Sequence, residues 1–316
     1  MSNKTYIYSL PNSQSLAEGI VNYSHRHIQL KQIVRKQFAN GEQYYKIDVK
    51  DRLELMKTNA IIIGSITNDD DLLEIHRVGH YLSQYCQSMV FVIPYMGYAT
   101  MEREVQPGEI VTAKTNIELL DNIPQCSTRN LFMFFDLHCN TLIRFFNKSS
   151  AVEVYLNKLL EDVIKDQTRS MKNGFIFGSA DLGRPLWVES FAKDFNTSMA
   201  FVNKHRVFES IKTDDVVIGK VEGSNVIIYD DMIRSGTTLF QAIDCYMKFG
   251  ALSVSVVISH CGAIDESVLV KLIRNDNVKF IITTNTHPNH ALIQHPKLRI
   301  VNVEPLICER LRCLGL

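Results

Sequence analysis

The stretch from Asn225 to Ile243 reads NVIIYDDMIRSGTTLFQAI and decides the class of fold. Val226–Tyr229 is a short run of large apolar residues, the pattern of a strand buried on both faces. Asp230 and Asp231 follow at its carboxyl end, where open α/β sheets place their ligands. The small-residue loop Arg234-Ser235-Gly236-Thr237-Thr238 then opens a helical stretch, Thr237–Phe249. A buried strand, a tight turn and a helix make one half of a βαβ unit.

The same alternation runs outward in both directions. Strands are expected at Tyr6–Ser9, Ala60–Gly64, Met89–Ile93, Leu131–Phe135, Gly174–Phe177, Met199–Val202, Ser253–Ile258, Phe280–Thr283 and Arg299–Asn302. Helices are expected between them at Asp69–Tyr85, Glu109–Leu120, Ala151–Lys165, Leu186–Phe195 and Asp265–Arg274. The fold class is therefore α/β, built from mostly parallel sheets flanked by helices. The series runs twice. One domain is expected over 1–148 and a second, carrying the loop, over 149–299, with 300–316 packing back on the first. Asn147–Ser150 supplies the turn chemistry at the junction.

Composition removes several classes of function. The 316 residues hold 34 Lys+Arg against 34 Asp+Glu, and this zero net charge leaves no basic surface for nucleic acid. With 46% hydrophobic residues the chain can bury real cores, so disorder is excluded as its main state. Seven cysteines form no CxxC pair and read as reduced, partly buried thiols of a cytoplasmic protein. The first residues lack the apolar core of a signal peptide, and no apolar run approaches the ~20 residues that span a bilayer.

The chemistry of the 225–243 stretch is that of a sugar phosphate site. The loop offers main-chain N–H groups, hydroxyls and the positive end of a helix dipole to a phosphate. Two adjacent carboxylates suit the 2- and 3-hydroxyls of a ribose, or an ion held near them. A Ser or Thr helix cap beside a solvated Asp-Asp turn would use some of the same letters. Buried strand, paired Asp, spacing and the Gly-Thr-Thr step together favour the site.

This run resembles the ribose-phosphate-binding motif shared by type I phosphoribosyltransferases and ribose-phosphate diphosphokinases. The other motifs resemble the diphosphokinases in particular. FANGE (Phe38–Glu42) resembles their FxDGE element, whose aromatic ring packs on adenine, with Asn40 where Asp is usual. FVIPYMGYATMERE (Phe91–Glu104) resembles the IPY…Y…R segment. Thr100-Met101 replaces the usual Arg-Gln pair, the run Thr100–Glu104 instead resembles the Thr-Ser-Glu-Arg-type run of plant class II members, and the nucleotide-phosphate role falls to Arg103. FFDLHC (Phe134–Cys139) resembles the DLH element, in which His138 would bind magnesium near ATP. GSADLGRP (Gly178–Pro185) resembles PDxGG, with Asp181 for metal, Gly183 matching and Arg184 replacing the second Gly. VNKHRVFES (Val202–Ser210) resembles the catalytic KxR of a closing flap, here Lys204 and Arg206. TTNTHPNH and LRIVNVEPLICERL resemble the closing strand, turn and last helix. The likeness spans essentially the whole chain in order.

The resemblance implies two similar phosphoribosyltransferase-type domains. It implies transfer of the β,γ-diphosphate of ATP to the anomeric hydroxyl of ribose 5-phosphate, giving phosphoribosyl pyrophosphate and AMP. ATP would meet Phe38, Asn40, Glu42, Arg103 and His138. Mg²⁺ would sit at His138 and Asp181. The ribose phosphate would meet Asp230, Asp231, Arg234, Ser235, Gly236, Thr237 and Thr238. In the family FxDGE is lent by a neighbouring subunit, so a homo-oligomer with an interfacial ATP site is implied. Arg234 departs from both classes, which carry a small residue or Gln there. A second phosphate on a larger acceptor would suit it, and phage-type relatives transfer diphosphate to ADP-ribose in NAD rebuilding. A non-catalytic synthetase-associated subunit is the third reading, opposed by the retained charged residues.

Overall fold

The structure is a computed structural model that describes residues 4–24, 28–169, 171, 173–181, 185–203, 216–263, 265–291 and 293–316. By its internal contacts the chain divides into two units, Met1–Tyr155 with Val303–Leu316, and Leu156–Asn302.

In the first unit the strands are β1 (Thr5–Ser9), β2 (Ile28–Lys31), β3 (Ile33–Gln37), β4 (Gln43–Ile47), β5 (Asn59–Ile63), β6 (Ser88–Ile93), β7 (Leu131–Phe135) and β8 (Ser150–Val154). The helices are α1 (Gln14–Tyr23), α2 (Asp69–Ser83) and α3 (Thr112–Asp121). Six strands form one parallel sheet in the order β2-β1-β5-β6-β7-β8, while β3 and β4 pair separately as an antiparallel hairpin. Ala60–Ile63 and Met89–Ile93 are buried throughout, as a sheet covered on both faces requires. Asn68 caps α2 by accepting the Asp71 N–H at 3.1 Å, and Asp69–Asp71 place negative charge on its positive end.

In the second unit follow α4 (Asn157–Thr168), β9 (Phe175–Ser179), α5 (Pro185–Asp194), β10 (Met199–Asn203), β11 (Val216–Ile218), β12 (Asn225–Ile233), α6 (Thr237–Lys248), β13 (Ser253–Cys261), α7 (Glu266–Arg274), β14 (Val278–Thr284) and β15 (Leu298–Val301). The sheet order is β11-β10-β9-β12-β13-β14-β15, parallel except at β10–β11. α7 shows how the apolar period sets the layers. Val268, Leu269, Leu272 and Ile273 form its buried stripe, and the Asp265 side chain caps it through the Ser267 N–H at 2.8 Å. The last helix, α8 (Glu304–Cys313), belongs to the first unit and packs on α1, where the Cys308 thiol donates to the Ile20 carbonyl at 3.7 Å.

Three expectations change. Ala151–Lys165 is not one helix: Ser150–Val154 pairs in parallel with β7 from Leu131↔Ser150 to Phe135↔Val154, and helix begins only at Asn157. The Asn147–Ser150 turn therefore leads into the sixth strand of the first sheet rather than out of it. The helix expected from Glu109 starts at Thr112, because the Glu109 carboxylate accepts the Val105 and Gln106 N–H groups and closes a turn. The strand expected to end at Tyr229 runs on to Ile233, so Asp230 and Asp231 stand inside the ladder. The β3–β4 hairpin makes Phe38–Glu42 a turn between two strands, the plainer reading of FANGE, while β2, α1 and β11 were not foreseen. All seven cysteines are free, four of them buried. Among the described residues no helix is long and apolar enough to cross a membrane.

Candidate functional site

In the second unit the loop between β12 and α6 comes down to Arg234, Ser235 and Gly236. Asp230 pairs with Ile258 and Met232 with His260, so β13 props the carboxyl end of β12 through Ile233. Asp231 is buried at 2% exposure, Asp230 is half-buried, and the Asp231 N–H donates to the Asp230 carboxylate at 2.9 Å. The two side chains therefore present one partly open and one sheltered carboxylate, not a solvated pair. Gly236 caps α6 at φ 73°, ψ 0° with no side-chain cap bond. An added Cβ there would lie 2.7 Å from the Phe240 ring and 3.1 Å from Val268. Glycine is required twice, for the left-handed backbone and for the close approach.

Around this turn Ser235 and Thr237 are exposed, with their hydroxyls 3.1 Å apart, and Thr238 is half-buried. The Thr237 N–H reaches Ser235 Oγ at only 3.4 Å. The first turn of a 12-residue helix thus opens beside two hydroxyls, the arrangement that receives a phosphate. Arg234 is exposed at the same turn. Asp181 follows β9, the strand next to β12, and its N–H donates to Ser179 Oγ at 3.2 Å. Lys204 and Arg206 lie outside the described residues, as do Gly183 and Arg184. Lys204 directly follows Asn203, the last residue of β10.

In the first unit Phe38–Glu42 form the turn of the β3–β4 hairpin. The Phe38 N–H donates to the Glu42 carbonyl at 2.9 Å, and Gly41 turns the chain at φ 88°. Asn40 braces the turn, donating to the Glu42 carboxylate at 2.9 Å and accepting the Glu42 N–H at 3.2 Å. Phe38 is 44% exposed, flanked by Tyr44 at 6.2 Å and by Lys36 Nζ at 5.1 Å from the ring. The hairpin is moored by Arg35, which donates to buried Glu74 of α2 at 2.6 Å and to the Ser9 carbonyl at 2.6 Å. Sequence reasoning did not single out that pair. An Arg in an alternating strand has no signature until its partner from α2 is beside it.

Arg103 and His138 leave neighbouring strands, β6 and β7. The arm after β6 begins with a close approach at Gly97, where a Cβ would sit 2.5 Å from the Ile66 carbonyl oxygen. Tyr98 then adopts φ 63° and donates to Asp69 at 2.5 Å, which together with burial pushes its hydroxyl up to about 12. Arg103 ends on the exposed arm, 3.5 Å from Glu102. After β7, fully buried Asp136 takes φ 38°, an uncommon conformation for a side-chain-bearing residue. Its N–H donates to the Val154 carbonyl at 3.2 Å, and the Leu137 N–H donates to Glu153 at 3.0 Å. These two bonds brace the chain just before His138, which is half-buried.

Sequence reading also passed over a polar cluster under the end of β12. Tyr229 and Ser259 hydroxyls meet at 3.0 Å, Thr284 donates to the Ser259 carbonyl at 2.6 Å, and His260 Nδ1 meets the Thr286 hydroxyl at 2.7 Å. Beside it His287 accepts the Asn289 N–H at 3.1 Å, and burial, with His260 and His290 near, pushes it down to about 4. Only the register of β12, β13 and β14 brings these side chains together.

Comparison with known proteins agrees with this construction. The domain family described as the N-terminal domain of ribose phosphate pyrophosphokinase matches residues 5–123, and the phosphoribosyl synthetase-associated domain matches residues 195–315. The ribose-phosphate pyrophosphokinase of Maricaulis maris is 27% identical over 307 residues, covering 94% of this chain and 92% of the relative. That of Helicobacter hepaticus is 30% identical over 223 residues, covering 70% of this chain and 68% of the relative. In fold, the crystal structure of phosphoribosylpyrophosphate synthetase from Mycobacterium smegmatis matches with a TM-score of 0.86 at 20% identity, over 99% of both chains. With the left-handed glycine turn after Asp230-Asp231 in place, the chain belongs to the ribose-phosphate pyrophosphokinase family.

Proposed function

We propose that the protein transfers the β,γ-diphosphate of ATP to the anomeric hydroxyl of ribose 5-phosphate. The observation that carries this reading is the Gly236 turn, which opens the α6 N-terminus beside Ser235 and Thr237 directly after Asp230 and Asp231. The helix N-terminus and hydroxyls would take the 5-phosphate, and the carboxylates the ribose hydroxyls. The anomeric oxygen attacks the β-phosphorus, the bond from that phosphorus to the α,β-bridging oxygen breaks, AMP leaves, and the hydroxyl proton passes to solvent. Such a reaction depends on positioning and on neutralising charge. Lys204 and Arg206 are the cations assigned to that charge by their sequence motif.

The donor set fits a hydrated divalent cation. Among the described residues no group of three or more His, Cys, Asp or Glu could hold an ion. Mg²⁺ typically keeps several waters and binds through one or two protein ligands plus substrate phosphates. His138 in the first unit and Asp181 in the second would each offer a single ligand of this kind, each to an ion that neutralises phosphate charge beside it. Phe38, 44% exposed on a braced hairpin tip, suits stacking on adenine, and a second copy of the chain is the proposed recipient of that tip.

Arg234 supports a second acceptor. Exposed at the loop, it suits a further phosphate, as on ADP-ribose. The protein is incubated with ATP, Mg²⁺ and each acceptor in turn, and AMP is followed. Release with ribose 5-phosphate supports the main reading, and release with ADP-ribose alone replaces it. No release with either, with a partner protein co-purifying, supports a synthetase-associated subunit. If the larger acceptor is used, Arg234→Gln lowers kcat/KM for it by about tenfold, as expected on losing a charge-assisted hydrogen bond. Ribose 5-phosphate then shifts much less, and equal shifts would remove the second-phosphate role.

A further inference from the structure

Tyr246 lies near the carboxyl end of α6 and is fully buried. Its hydroxyl meets three main-chain groups. It accepts the Ser179 N–H at 3.1 Å and shares its proton between the Ser179 carbonyl at 2.8 Å and the Ala200 carbonyl at 3.0 Å. Ser179 ends β9, and Ala200 lies in β10. The surroundings are otherwise apolar, with Val226, Ala200, Ala242 and Ile243 in the same buried cluster. A hydroxyl is costly to bury there without partners, and these bonds offset that cost. Gly178 adds an independent sign of a built contact. A Cβ at that strand position would lie 2.9 Å from the Tyr246 hydroxyl oxygen and 3.0 Å from the ring carbon bearing it. Glycine inside a strand weakens it and marks a close approach.

The junction reaches the candidate site at both ends. α6 begins at the Gly236 turn, ten residues before Tyr246 and so about 15 Å along the helix axis. Ser179, held by Tyr246 through its main chain, holds Asp181 through its side chain: Ser179 Oγ donates to the Asp181 carbonyl and accepts the Asp181 N–H at 3.2 Å. We propose that Tyr246 is a positioning residue, whose hydroxyl locks the end of β9, and through Ser179 the Asp181 arm, to the helix that carries the ribose-phosphate loop. The role of Asp181 in this statement rests on the function proposed above.

Tyr246→Phe keeps the ring and removes the junction. At a temperature where the variant is fully folded, kcat is expected to fall by about tenfold or more, since misplacement of a reacting group costs rate. The Mg²⁺ concentration for half activity should rise by roughly threefold or more, as a loosened metal ligand lowers metal affinity. The KM for the acceptor, bound on the N-terminus of α6 itself, should stay within about twofold. A lower Tm with unchanged kcat and Mg²⁺ dependence would mean a purely structural hydroxyl and overturns the proposal, as does a loss of kcat with no Mg²⁺ shift. Amide hydrogen exchange supplies a readout independent of turnover. The Asp181 N–H bonds to Ser179 and not to Tyr246, so its exchange should quicken about tenfold while Thr237–Phe240 stays protected. Unchanged exchange at Asp181 overturns the proposal. Should Tyr246→Phe fail to fold, Ser179→Ala cuts the link to Asp181 alone and must produce the same Mg²⁺ shift, or the proposal falls. If the unaltered protein releases no AMP with either acceptor, the proposed function fails, and exchange at Asp181 still decides the role of Tyr246.

Discussion

Lys204→Ala lowers kcat by about 10²–10³, the range seen when one preorganised donor to developing charge is removed. KM for ATP and acceptor and the Tm change little, because a cation that meets the transferred group only as charge builds adds nothing to ground-state binding. Lys204 and Arg206 are assigned this part by the KxR spacing in VNKHRVFES. The measurement is steady-state AMP release at saturating ATP, beside a thermal melt. A rate within about threefold of the unaltered protein removes Lys204 from the transition state. A large rise in KM at constant kcat makes it a ground-state binder instead.

Gly236→Val raises the acceptor KM by about tenfold or more, with kcat less affected. The reasoning is steric. At φ 73° a β-branched side chain is strained, by roughly 1–2 kcal/mol for a left-handed L residue. Its Cβ also points at the Phe240 ring 2.7 Å away, and Val268 at 3.1 Å closes the other side. The loop must re-form, and the first N–H groups of α6 are then displaced. Isothermal titration with ribose 5-phosphate, without ATP, isolates binding from catalysis. Affinity unchanged within about twofold would show that the α6 N-terminus does not hold the phosphate. Far-ultraviolet circular dichroism should stay near that of the unaltered protein, since the change lies outside the helix proper.

How far the letters reach can be judged from neighbouring residues. Val226–Tyr229 and Ser253–Ile258 are legible as strands because burial on both faces demands apolar runs with no gaps. β8 was illegible as a strand. Its Ser150-Ala151-Val152-Glu153-Val154 carries too few large apolar residues, and pairing with β7 makes it a strand all the same. The same holds for Asp230 and Asp231, which as letters mark a strand end. Ladder pairing to Ile258 and His260 carries the strand past them.

Local chemistry, the ordered run of motifs and hence the family could all be read from the chain alone. Each depends on residues close in sequence: Gly where the turn needs a left-handed backbone, hydroxyls at a helix start, carboxylates after a buried apolar run. The mooring of the hairpin by Arg35 and Glu74, the bracing of Asp136 and Leu137 by Val154 and Glu153, and the meeting of Ser179, Ala200 and Tyr246 at one hydroxyl could not. Their partners lie 16 to 67 residues apart. A hydrogen bond at that separation leaves no local period or spacing. It exists only once strands have paired and helices have packed, which is why the folded chain alone assigns those residues their work.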